Sequence, residues 1–532
     1  MATMSVTCFA ADIPHLQIKG TTRQLVVDDQ PFLILGGELA NSSASDPDHL
    51  KTTWPVLKSV GLNTVIAPVE WDQIEPESGR YDFTVLDAML QQARDNHMRL
   101  VLLWFGAWKN SMSTYVPAYI KHDYKTYAKA QDDKGQPQDI LSPFDPDNLK
   151  ADARAFSATM AHLKQVDTNH IVIMVQVENE IGMLPSVRDY SPQAQAAFDE
   201  QVPAKLMAYL KTHKTTLNPY ISQLWQANGL KMSGNWSEVF GTSIEAQEVF
   251  QAWYFASFAN QLAKAGKAQY DLPMYVNAAL IRPGKKPGEY PSAGALPHLF
   301  DIWKPAAPAI DILAMDMYFP NFTDWAEKFK RADNPYFIPE ANEAGKPEAG
   351  ANAFYVIGQL DSLGFSPFSI DTIAAGRINL TPAYDVLRQL SPEILAAQGT
   401  GRMRGFRPRV AFDGTVDETP QTFDLGGYQF TVQFMDPWTP KDQQNVAAHG
   451  GLIILNADGS YIVSGTGFVL TFADTSKDKM RVGIEQIVEG RYIDGIWKPG
   501  RWLNGDQSHQ GRHLRMPPDD FGIQKLKLYR FK

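Results

Sequence analysis

Between about residues 31 and 395, short apolar runs alternate with longer stretches in which apolar residues recur every three or four positions. Eight of the short runs are nearly continuous in Val, Ile, Leu, Met and Phe, as strands buried on both faces of a parallel sheet are. They lie at residues 32–36, 63–67, 99–104, 171–177, 273–277, 312–317, 336–339 and 365–370. Eight strand–helix units in succession predict an α/β fold, a (β/α)8 TIM barrel.

An open doubly wound sheet is the alternative α/β architecture, and the sequence does not favour it. Such a sheet is expected to carry a glycine-rich phosphate turn after its first strand, but here Gly36 and Gly37 lead into Glu38 without GxGxxG spacing. The intervening helical pattern is clearest after the start signal Asp145-Pro146. Its apolar positions, spaced by four, three, four and three residues, are Leu149, Ala153, Phe156, Met160 and Leu163.

The predicted barrel occupies residues 25–397 and has two long connections, at residues 105–144 and 182–272. Both follow strands on the side where barrel enzymes place their chemistry, and the second is long enough to carry its own helices. A Gly- and Arg-rich linker is predicted at 398–405. Residues 406–532 are predicted to form a small antiparallel β-sandwich, with Trp438, Trp497 and Trp502 in its core rather than on a carbohydrate-binding face.

The composition of the chain limits which binding partners and locations can be expected. The formal charge of 49 − 59 = −10 argues against nucleic acid, and no apolar run is long enough for a membrane span. The single cysteine, Cys8, excludes an internal disulfide framework. Residues 4–11 resemble the tail of a secretory signal, so residues 1–24 are interpreted as an N-terminal segment with a signal-peptide remnant, which favours a periplasmic or secreted protein. A disordered N-terminus without a targeting role, and a cytoplasmic location, stay open.

Candidate chemistry is concentrated at the ends of the fourth and seventh predicted strands. Glu178, Asn179 and Glu180 end the fourth strand, and Glu340 ends the seventh. Carboxylates are costly to bury, but the carboxyl ends of barrel strands are where reactive side chains are exposed. The alternative interpretation is that each glutamate caps a following helix.

Two carboxyl groups roughly 5 Å apart are what a retaining glycosidase needs. We interpret Glu340 as the nucleophile, which must be ionised, and Glu180 as the acid/base, whose pKa the neighbouring charge should raise. Asn179 is expected to bind the sugar 2-hydroxyl group. Glu343 is a rival nucleophile, and Glu178, which strand alternation puts on the face of Glu180, is interpreted as a supporting partner.

Further polar and aromatic residues follow the other predicted strands and are candidates for substrate binding. Each can also orient a loop or cap a helix instead. They are Glu38, Asn41, Glu70, Trp108, Asn277 and Tyr318. No phosphate-binding loop, GxSxG or HExxH motif is present, so neither a cofactor nor a metal is expected.

These residues resemble glycoside hydrolase family 35, the β-galactosidases. The run QVENEIG that starts at Gln176 is similar to the family's acid/base signature QxENEYG. GLNT from Gly61, followed by EPESGRYDF from Glu75, resembles its second-strand motif GLNT…HEP…G.YDF. The resemblance covers about residues 25–395 and implies a retaining β-galactosidase on a barrel.

The sequence departs from the family pattern at three strand ends. APVEWD, from Ala67, stands in place of TYVFWN, and FGAWKNS, from Phe105, in place of GPYxCAEW. The segment around Glu340 lacks the usual NSE(F/Y)YxGW pattern. Asn110 aligns with the family's galactose-binding glutamate, so it is a substrate-binding candidate without a charge.

The divergence resembles bacterial members that remove galactose from xyloglucan side chains. The expected function is therefore an exo-acting retaining glycoside hydrolase that releases terminal β-galactose through a covalent galactosyl-enzyme intermediate. A related β-glycosidase and a non-catalytic glycan-binding barrel are the alternatives. A homodimer is an open prediction.

Overall fold

The structure is a computed structural model, and it describes residues 12–342, 344–373, 380–477, 480–518 and 520–532. The strands of its first 370 residues are β1 (His15–Lys19), β2 (Thr22–Val27), β3 (Gln30–Phe32), β4 (Ile34–Glu38), β5 (Thr64–Glu70), β6 (Arg99–Lys109), β7 (Lys129–Gln131), β8 (Pro137–Leu141), β9 (Val172–Asn179), β10 (Met274–Val276), β11 (Ile312–Leu313), β12 (Asp316–Met317), β13 (Ile338–Ala341) and β14 (Gly364–Pro367).

The helices connect these strands and continue beyond the last of them. They are α1 (Pro47–Val60), α2 (Trp71–Ile74), α3 (Thr84–Asp95), α4 (Ala118–His122), α5 (Pro146–Val166), α6 (Pro192–Asp199), α7 (Ala204–Thr212), α8 (Pro219–Ala227), α9 (Trp236–Phe240), α10 (Ile244–Lys267), α11 (Phe300–Ala306), α12 (Phe322–Phe329), α13 (Ala349–Leu360) and α14 (Leu380–Ala397).

The predicted parallel barrel is confirmed. The pairing order is β11-β10-β9-β6-β5-β4-β14-β13-β12, and the described pairs in this order are parallel. Its two end strands, β11 and β12, are two halves of one interrupted sixth strand, separated by Ala314 and Met315. The ring therefore closes because β11 pairs with the fifth strand and β12 pairs with the seventh.

The N-terminal end of the barrel is covered by the antiparallel sheet β1–β3. Leu25 and Val27 of β2 belong to the same buried cluster as Ile34, Val101 and Phe337 of the barrel interior. The interval 1–24 predicted as an N-terminal segment thus contains β1 and the start of β2. Residues 1–11, with the signal-like run, lie outside the described residues.

The predicted helix after Asp145 is α5, and its start agrees with the sequence signal. The Asp145 side chain accepts a hydrogen bond from the backbone N–H of Asp147 at 2.9 Å, with Pro146 in the first turn. The predicted long connection between strands four and five carries α6 to α10. α10 is buried along most of its length and packs on α5.

The C-terminal strands form an antiparallel region, as predicted. They are β15 (Met403–Phe406), β16 (Arg409–Val410), β17 (Val416–Asp417), β18 (Gln421–Leu425), β19 (Tyr428–Gln433), β20 (Gly450–Leu455), β21 (Tyr461–Thr466), β22 (Phe468–Asp474), β23 (Arg481–Ile493), β24 (Ile496–Trp502), β25 (Leu514–Met516) and β26 (Gly522–Phe531). The six-stranded sheet β15-β20-β21-β26-β23-β24 and the four-stranded sheet β18-β19-β22-β25 share one apolar core.

The first sheet also packs on the barrel helix α13, at a close approach between glycines. A Cβ added at Gly358 would lie 3.0 Å from the Cα of Gly405, so the two elements touch through their backbones. β15 begins at Met403, within the interval 398–405 predicted as a linker, and the boundaries at 397 and 406 remain predictions. The expectation that Trp438 and Trp502 are core residues is wrong, since they are 55% and 61% exposed.

In the described part of the chain, no helix is both long enough and apolar enough to cross a membrane.

Candidate active site

Four acidic side chains meet at the carboxyl ends of the barrel strands. Glu38 ends β4, Glu180 follows β9, Asp316 begins β12 and Glu340 lies in β13. Asp316 and Glu340 are direct partners in the parallel pairing of β12 with β13. All four are at least nine-tenths buried, so their charges act on one another through little solvent.

The backbone after β9 turns so that Glu180 enters this group. Glu178 and Glu180 have φ of 62° and 45°, in the left-handed region that side chains rarely adopt. Strand alternation therefore fails here, and the prediction that Glu178 shares the face of Glu180 is wrong: Glu178 Oε2 accepts from the backbone N–H of Trp108 at 2.9 Å. The backbone N–H of Glu180 donates to Asn277 Oδ1 at 2.8 Å.

The Glu180 carboxylate has a specific donor. Asn110, predicted from the family alignment to bind substrate, donates from Nδ2 to Glu180 Oε2. The hydroxyl of Ser111 donates to the backbone carbonyl of Glu180 at 2.7 Å. The turn after β6 thus fixes both the backbone and the side chain of the predicted acid/base.

Glu340 combines a raised pKa with groups that favour its ionised form. Burial, and then the charge of Glu180, raise the pKa of Glu340 to about 7, while the cation of Lys109 and hydrogen bonds from Tyr318 and Asp316 oppose the rise. Tyr318 donates its phenol hydrogen to Glu340 Oε1. The sequence predicted the raised pKa for Glu180, whereas the structure puts a raised pKa on Glu340.

Glu38 and Asp316 are the acids that hold protons most strongly in this group. Burial, followed by the charge of Glu340, raises the pKa of each well above its ordinary value. Both carboxyls therefore favour the neutral form more than an ordinary carboxyl does, and a neutral carboxyl can donate a hydrogen bond. Asn277 Nδ2 donates to Asp316 Oδ2 at 2.6 Å, which links Asp316 to the backbone of Glu180.

Lys109 is a member of the group that the sequence analysis missed. Its ammonium group is buried, donates to Asn179 Oδ1 at 2.8 Å and lowers the pKa of Glu38 and Glu340. β6 was predicted to end at Trp104 but runs to Lys109. A lysine at the end of an apolar strand would have indicated a buried cation at the strand end. The signal was missed because the predicted strand ended at Trp104, five residues before Lys109.

Apart from the hydrogen bonds that the acids form with one another, several buried polar atoms of the site have no partner among the residues that the structure describes. They are Glu38 Oε1, Asn41 Oδ1, Asn179 Nδ2 and Asp316 Oδ1. Three of these are oxygens and one is an amide donor. A hydroxyl group both donates and accepts, so the array has the chemistry to bind a polyhydroxylated molecule.

Two predicted contacts are not brought into this group. Trp108 is fully buried with its ring 5.3 and 4.7 Å from Phe255 and Phe258 of α10, so the prediction that it is a substrate-binding residue is wrong. Its position follows from the extension of β6, which turns the ring into the helix layer. Burial, and then the charge of Asp72, raise the pKa of Glu70 to about 7, and among the described residues no hydrogen bond joins Glu70 to the four acids.

Glu343, the rival nucleophile, lies outside the described residues. Within the described ranges, no group of three or more His, Cys, Asp and Glu side chains has an arrangement that holds a metal ion.

Two family models match separate parts of the chain. Residues 43–240 match Glyco_hydro_42, described as beta-galactosidase, and residues 380–515 match DUF5597, a domain of unknown function. The first match includes the strand end with Asn179 and Glu180. No curated protein matches the chain.

Solved structures of β-galactosidases are similar at low identity. The enzyme from Bacillus circulans sp. alkalophilus is 15% identical, with 69% of this chain and 57% of that chain covered and a TM-score of 0.46. A catalytic mutant of Gan42B, a GH42 β-galactosidase from G. stearothermophilus, is 15% identical, with 71% and 58% covered and a TM-score of 0.48. The chain thus spans less than two thirds of the length of these two proteins.

The family model that matches residues 43–240 describes a class of glycoside hydrolases, the β-galactosidases. Within that class the match is to the family-42 model, whereas the sequence motifs resembled family 35. The resemblance to family 35 is therefore not supported.

Proposed function

We propose that this chain is a retaining, exo-acting glycoside hydrolase that releases terminal β-linked galactose. Glu340 is the nucleophile and Glu180 is the acid/base. The observation that carries the proposal is that Glu180 and Glu340, two buried strand-end carboxyls far apart in sequence, interact with each other, while Tyr318 and Lys109 favour the ionised form of Glu340. Paired carboxyls of unequal environment are what this reaction class requires.

In the first step, an oxygen of ionised Glu340 bonds to the anomeric carbon while the bond from that carbon to the leaving oxygen breaks. Glu180 transfers its proton to the leaving oxygen. Glu180 is then a carboxylate, removes a proton from water, and the hydroxide oxygen displaces Glu340 from the anomeric carbon. The products are free sugar and the alcohol, and both carboxyls return to their starting protonation states.

The groups around the pair have complementary roles in this proposal. Tyr318 and Lys109 stabilise the ionised form of Glu340. Asn110 and Asn277 orient Glu180 through its carboxylate and its backbone. The unsatisfied atoms of Asn179, together with those of Glu38, Asn41 and Asp316, are offered to the sugar hydroxyl groups.

The identity of the released sugar and of the leaving group is the most specific part of the proposal. Galactose is favoured by the description of the matching family model. The leaving group stays open, and xyloglucan side chains are a prediction of the sequence motifs alone. Glucosides, mannosides and arabinosides are the competing substrates, and a glycan-binding barrel without turnover is the competing function. A homodimer remains a prediction, as do the periplasmic or secreted location and the absence of nucleic-acid partners.

A panel of nitrophenyl β-glycosides and galactosylated xyloglucan oligosaccharides tests the proposal. The wild type is expected to prefer the galactosides, and Glu340→Gln to lose at least about 10³-fold in kcat. Glu180→Gln should lose far more on xyloglucan oligosaccharides than on dinitrophenyl galactoside, whose leaving group needs no acid.

Glu200→Gln is the matched control, since this glutamate is exposed at the end of α6 and is not among the predicted site residues. It is expected to match the wild type on every substrate. Full activity of Glu180→Gln on xyloglucan oligosaccharides would overturn the acid/base assignment, and absence of turnover by the wild type on the whole panel would favour the glycan-binding barrel.

A further inference from the structure

A second pair of carboxyl groups lies beneath the strand end that carries Glu180. Asp152 comes from α5 and Glu178 from β9, and both side chains are fully buried. Neither takes part in the bond-making steps proposed above. Burying two carboxylates together is unfavourable because each charge loses its hydration, so some interaction must offset this cost.

One oxygen of each carboxyl has a fixed donor. Trp104 Nε1 donates to Asp152 Oδ1 at 2.8 Å, and the backbone N–H of Trp108 donates to Glu178 Oε2 at 2.9 Å. The other two oxygens, Asp152 Oδ2 and Glu178 Oε1, are buried and accept no well-formed hydrogen bond from the described residues. The backbone N–H of Ala107 lies near the pair and lowers the pKa of both carboxyls. A Cβ built at Gly106 would lie 2.7 Å from both Glu178 Oε1 and Trp104 Nε1, the donor to Asp152, so the two carboxyls are neighbours around this glycine. A hydrogen bond between them lowers the pKa of Asp152.

We propose that Asp152 and Glu178 share one proton, held on Glu178 and donated to Asp152, and that this bond positions Glu180. A single proton satisfies both of the remaining oxygens and leaves one negative charge instead of two. The positioning part of this inference rests on the proposed function. The shared proton itself does not.

The charges around the pair agree with this placement of the proton. Burial, followed by the charge of Asp152, raises the pKa of Glu178 well above its usual value. Burial raises the pKa of Asp152 to about 6, and the hydrogen bond from Glu178 opposes that rise. Glu75 also raises the pKa of Asp152, and Arg154 pairs with Glu75 at 2.7 Å.

The bond acts on Glu180 through the backbone. Glu178 and Glu180 both have positive φ, a conformation that persists only where surrounding contacts hold it. The Asp152–Glu178 bond, the Trp108 amide and the bond from Gln176 Nε2 to the Glu178 carbonyl, at 2.8 Å, are such contacts. Loss of the shared proton would release the turn that aims the carboxyl of Glu180.

A cycle of amide variants tests the shared proton. In Glu178→Gln or Asp152→Asn, the outer oxygen still accepts from its tryptophan and the new amide donates across the pair, so each single variant keeps the bond. In the double variant the two amide NH2 groups face each other, because Trp104 and Trp108 fix the oxygens on the outside. The double variant is therefore expected to lose far more thermal stability than the two single variants together.

Asp189→Asn combined with Asp152→Asn is the matched control for that cycle. Asp189 is another buried acid, but its partners are Ser142 and the backbones of Gln131 and Ser191. The two effects are expected to add. Infrared spectra give an independent readout: a protonated carboxyl band at neutral pH is expected in the wild type and is expected to be weaker by one group in Glu178→Gln.

The positioning role is tested by conservative rescue. Glu178→Gln is expected to keep kcat on nitrophenyl galactoside within about fivefold of wild type, whereas Glu178→Leu, which has no donor, is expected to lose about a hundredfold. KM should stay within about twofold in both, because the sugar contacts are intact.

The outcomes separate the two inferences. An additive amide cycle, or an unchanged carboxyl band in Glu178→Gln, overturns the shared proton. A coupled cycle with equal kcat in Glu178→Leu and Glu178→Gln overturns only the positioning role. If the wild type turns over no glycoside, the proposed function fails and the positioning role fails with it, while the stability cycle and the spectra still decide the shared proton.

Discussion

Asn277 accepts a hydrogen bond from the backbone N–H of Glu180 at 2.8 Å and thereby joins the fifth strand of the barrel to the end of the fourth. Its amide nitrogen donates in turn to Asp316 at 2.6 Å. One side chain thus fixes the backbone of the proposed acid/base relative to the buried carboxyl of Asp316 in the next strand. The site is held by such bridges between neighbouring strand ends.

Removal of the Asn277 bridge is expected to lower kcat with a smaller effect on KM. Asn277→Ala leaves the Glu180 amide without its acceptor and allows the carboxyl to move, which should cost about ten- to a hundredfold in kcat. Steady-state kinetics on a nitrophenyl galactoside measure it. Asn228→Ala at the end of α8 is the control and should match the wild type; an equal loss there, or an unchanged kcat in Asn277→Ala, contradicts the bridge.

Tyr318→Phe is expected to move the acidic limb of the kcat/KM profile to higher pH. The hydrogen bond from Tyr318 favours ionised Glu340, so its removal raises the pKa of Glu340 further above about 7. The nucleophile is ionised only above its pKa. When the pH is lowered, Tyr318→Phe should therefore lose activity at a higher pH than the wild type does. Tyr124→Phe, at an exposed tyrosine, should leave the profile unchanged.

Lys109→Met is also expected to move the acidic limb of the kcat/KM profile to higher pH, in this case because a positive charge near Glu340 is lost. The ammonium charge lowers the pKa of Glu340 and of Glu38, and methionine keeps the length of the side chain without the charge. Asn179 also loses its donor, so KM for the sugar is expected to rise as well. A pH profile that is unchanged would show that Lys109 does not set the ionisation of Glu340.

Thermal stability is expected to fall as pH rises from about 5 to about 8. Glu38, Asp316 and Glu340 have raised pKa values in the folded chain, so above their ordinary pKa the folded state binds more protons than the unfolded state. Their stabilising contribution is complete below the ordinary pKa and is lost as pH rises through the folded values. Melting temperatures across this range should show a shallower fall for Glu38→Gln than for wild type.

Gly106→Ala is expected to destabilise the fold by about 1–3 kcal/mol. The added methyl group would lie 2.7 Å from both Glu178 Oε1 and Trp104 Nε1, in the space occupied by the Asp152–Glu178 pair. Gly345→Ala is the matched control, since a Cβ there meets no atom within 4 Å. Denaturant unfolding measures both, and equal stabilities would contradict the packing described around Gly106.

Much of the barrel could be predicted because its signals are local. A strand buried on both faces must be apolar, and the eight runs therefore stood out. The ends of strands were harder: Gly106 and Trp108 read as loop residues, although the strand continues to Lys109. Because of that error, Trp108 was predicted to bind substrate and Lys109 was not predicted to belong to the site.

The acidic residues also differ in whether a local sequence signal reveals them. Glu180 and Glu340 were found because a carboxylate at the end of an apolar run is conspicuous. Asp152 lies on the apolar face of α5, and its partner Glu178 is brought to it by a backbone turn with positive φ, which no periodic pattern encodes. Which acids hold protons likewise depends on contacts between distant strands.

Azide rescue of glycine variants tests the central assignment most directly. With an activated β-galactoside, Glu340→Gly plus azide is expected to yield the α-galactosyl azide, because azide attacks from the face that the nucleophile occupied. Glu180→Gly plus azide is expected to yield the β-galactosyl azide by attack on the galactosyl-enzyme. Rescue at Glu343→Gly in place of Glu340→Gly, or the same anomer from both Glu180→Gly and Glu340→Gly, would contradict the assignment of the two carboxyls.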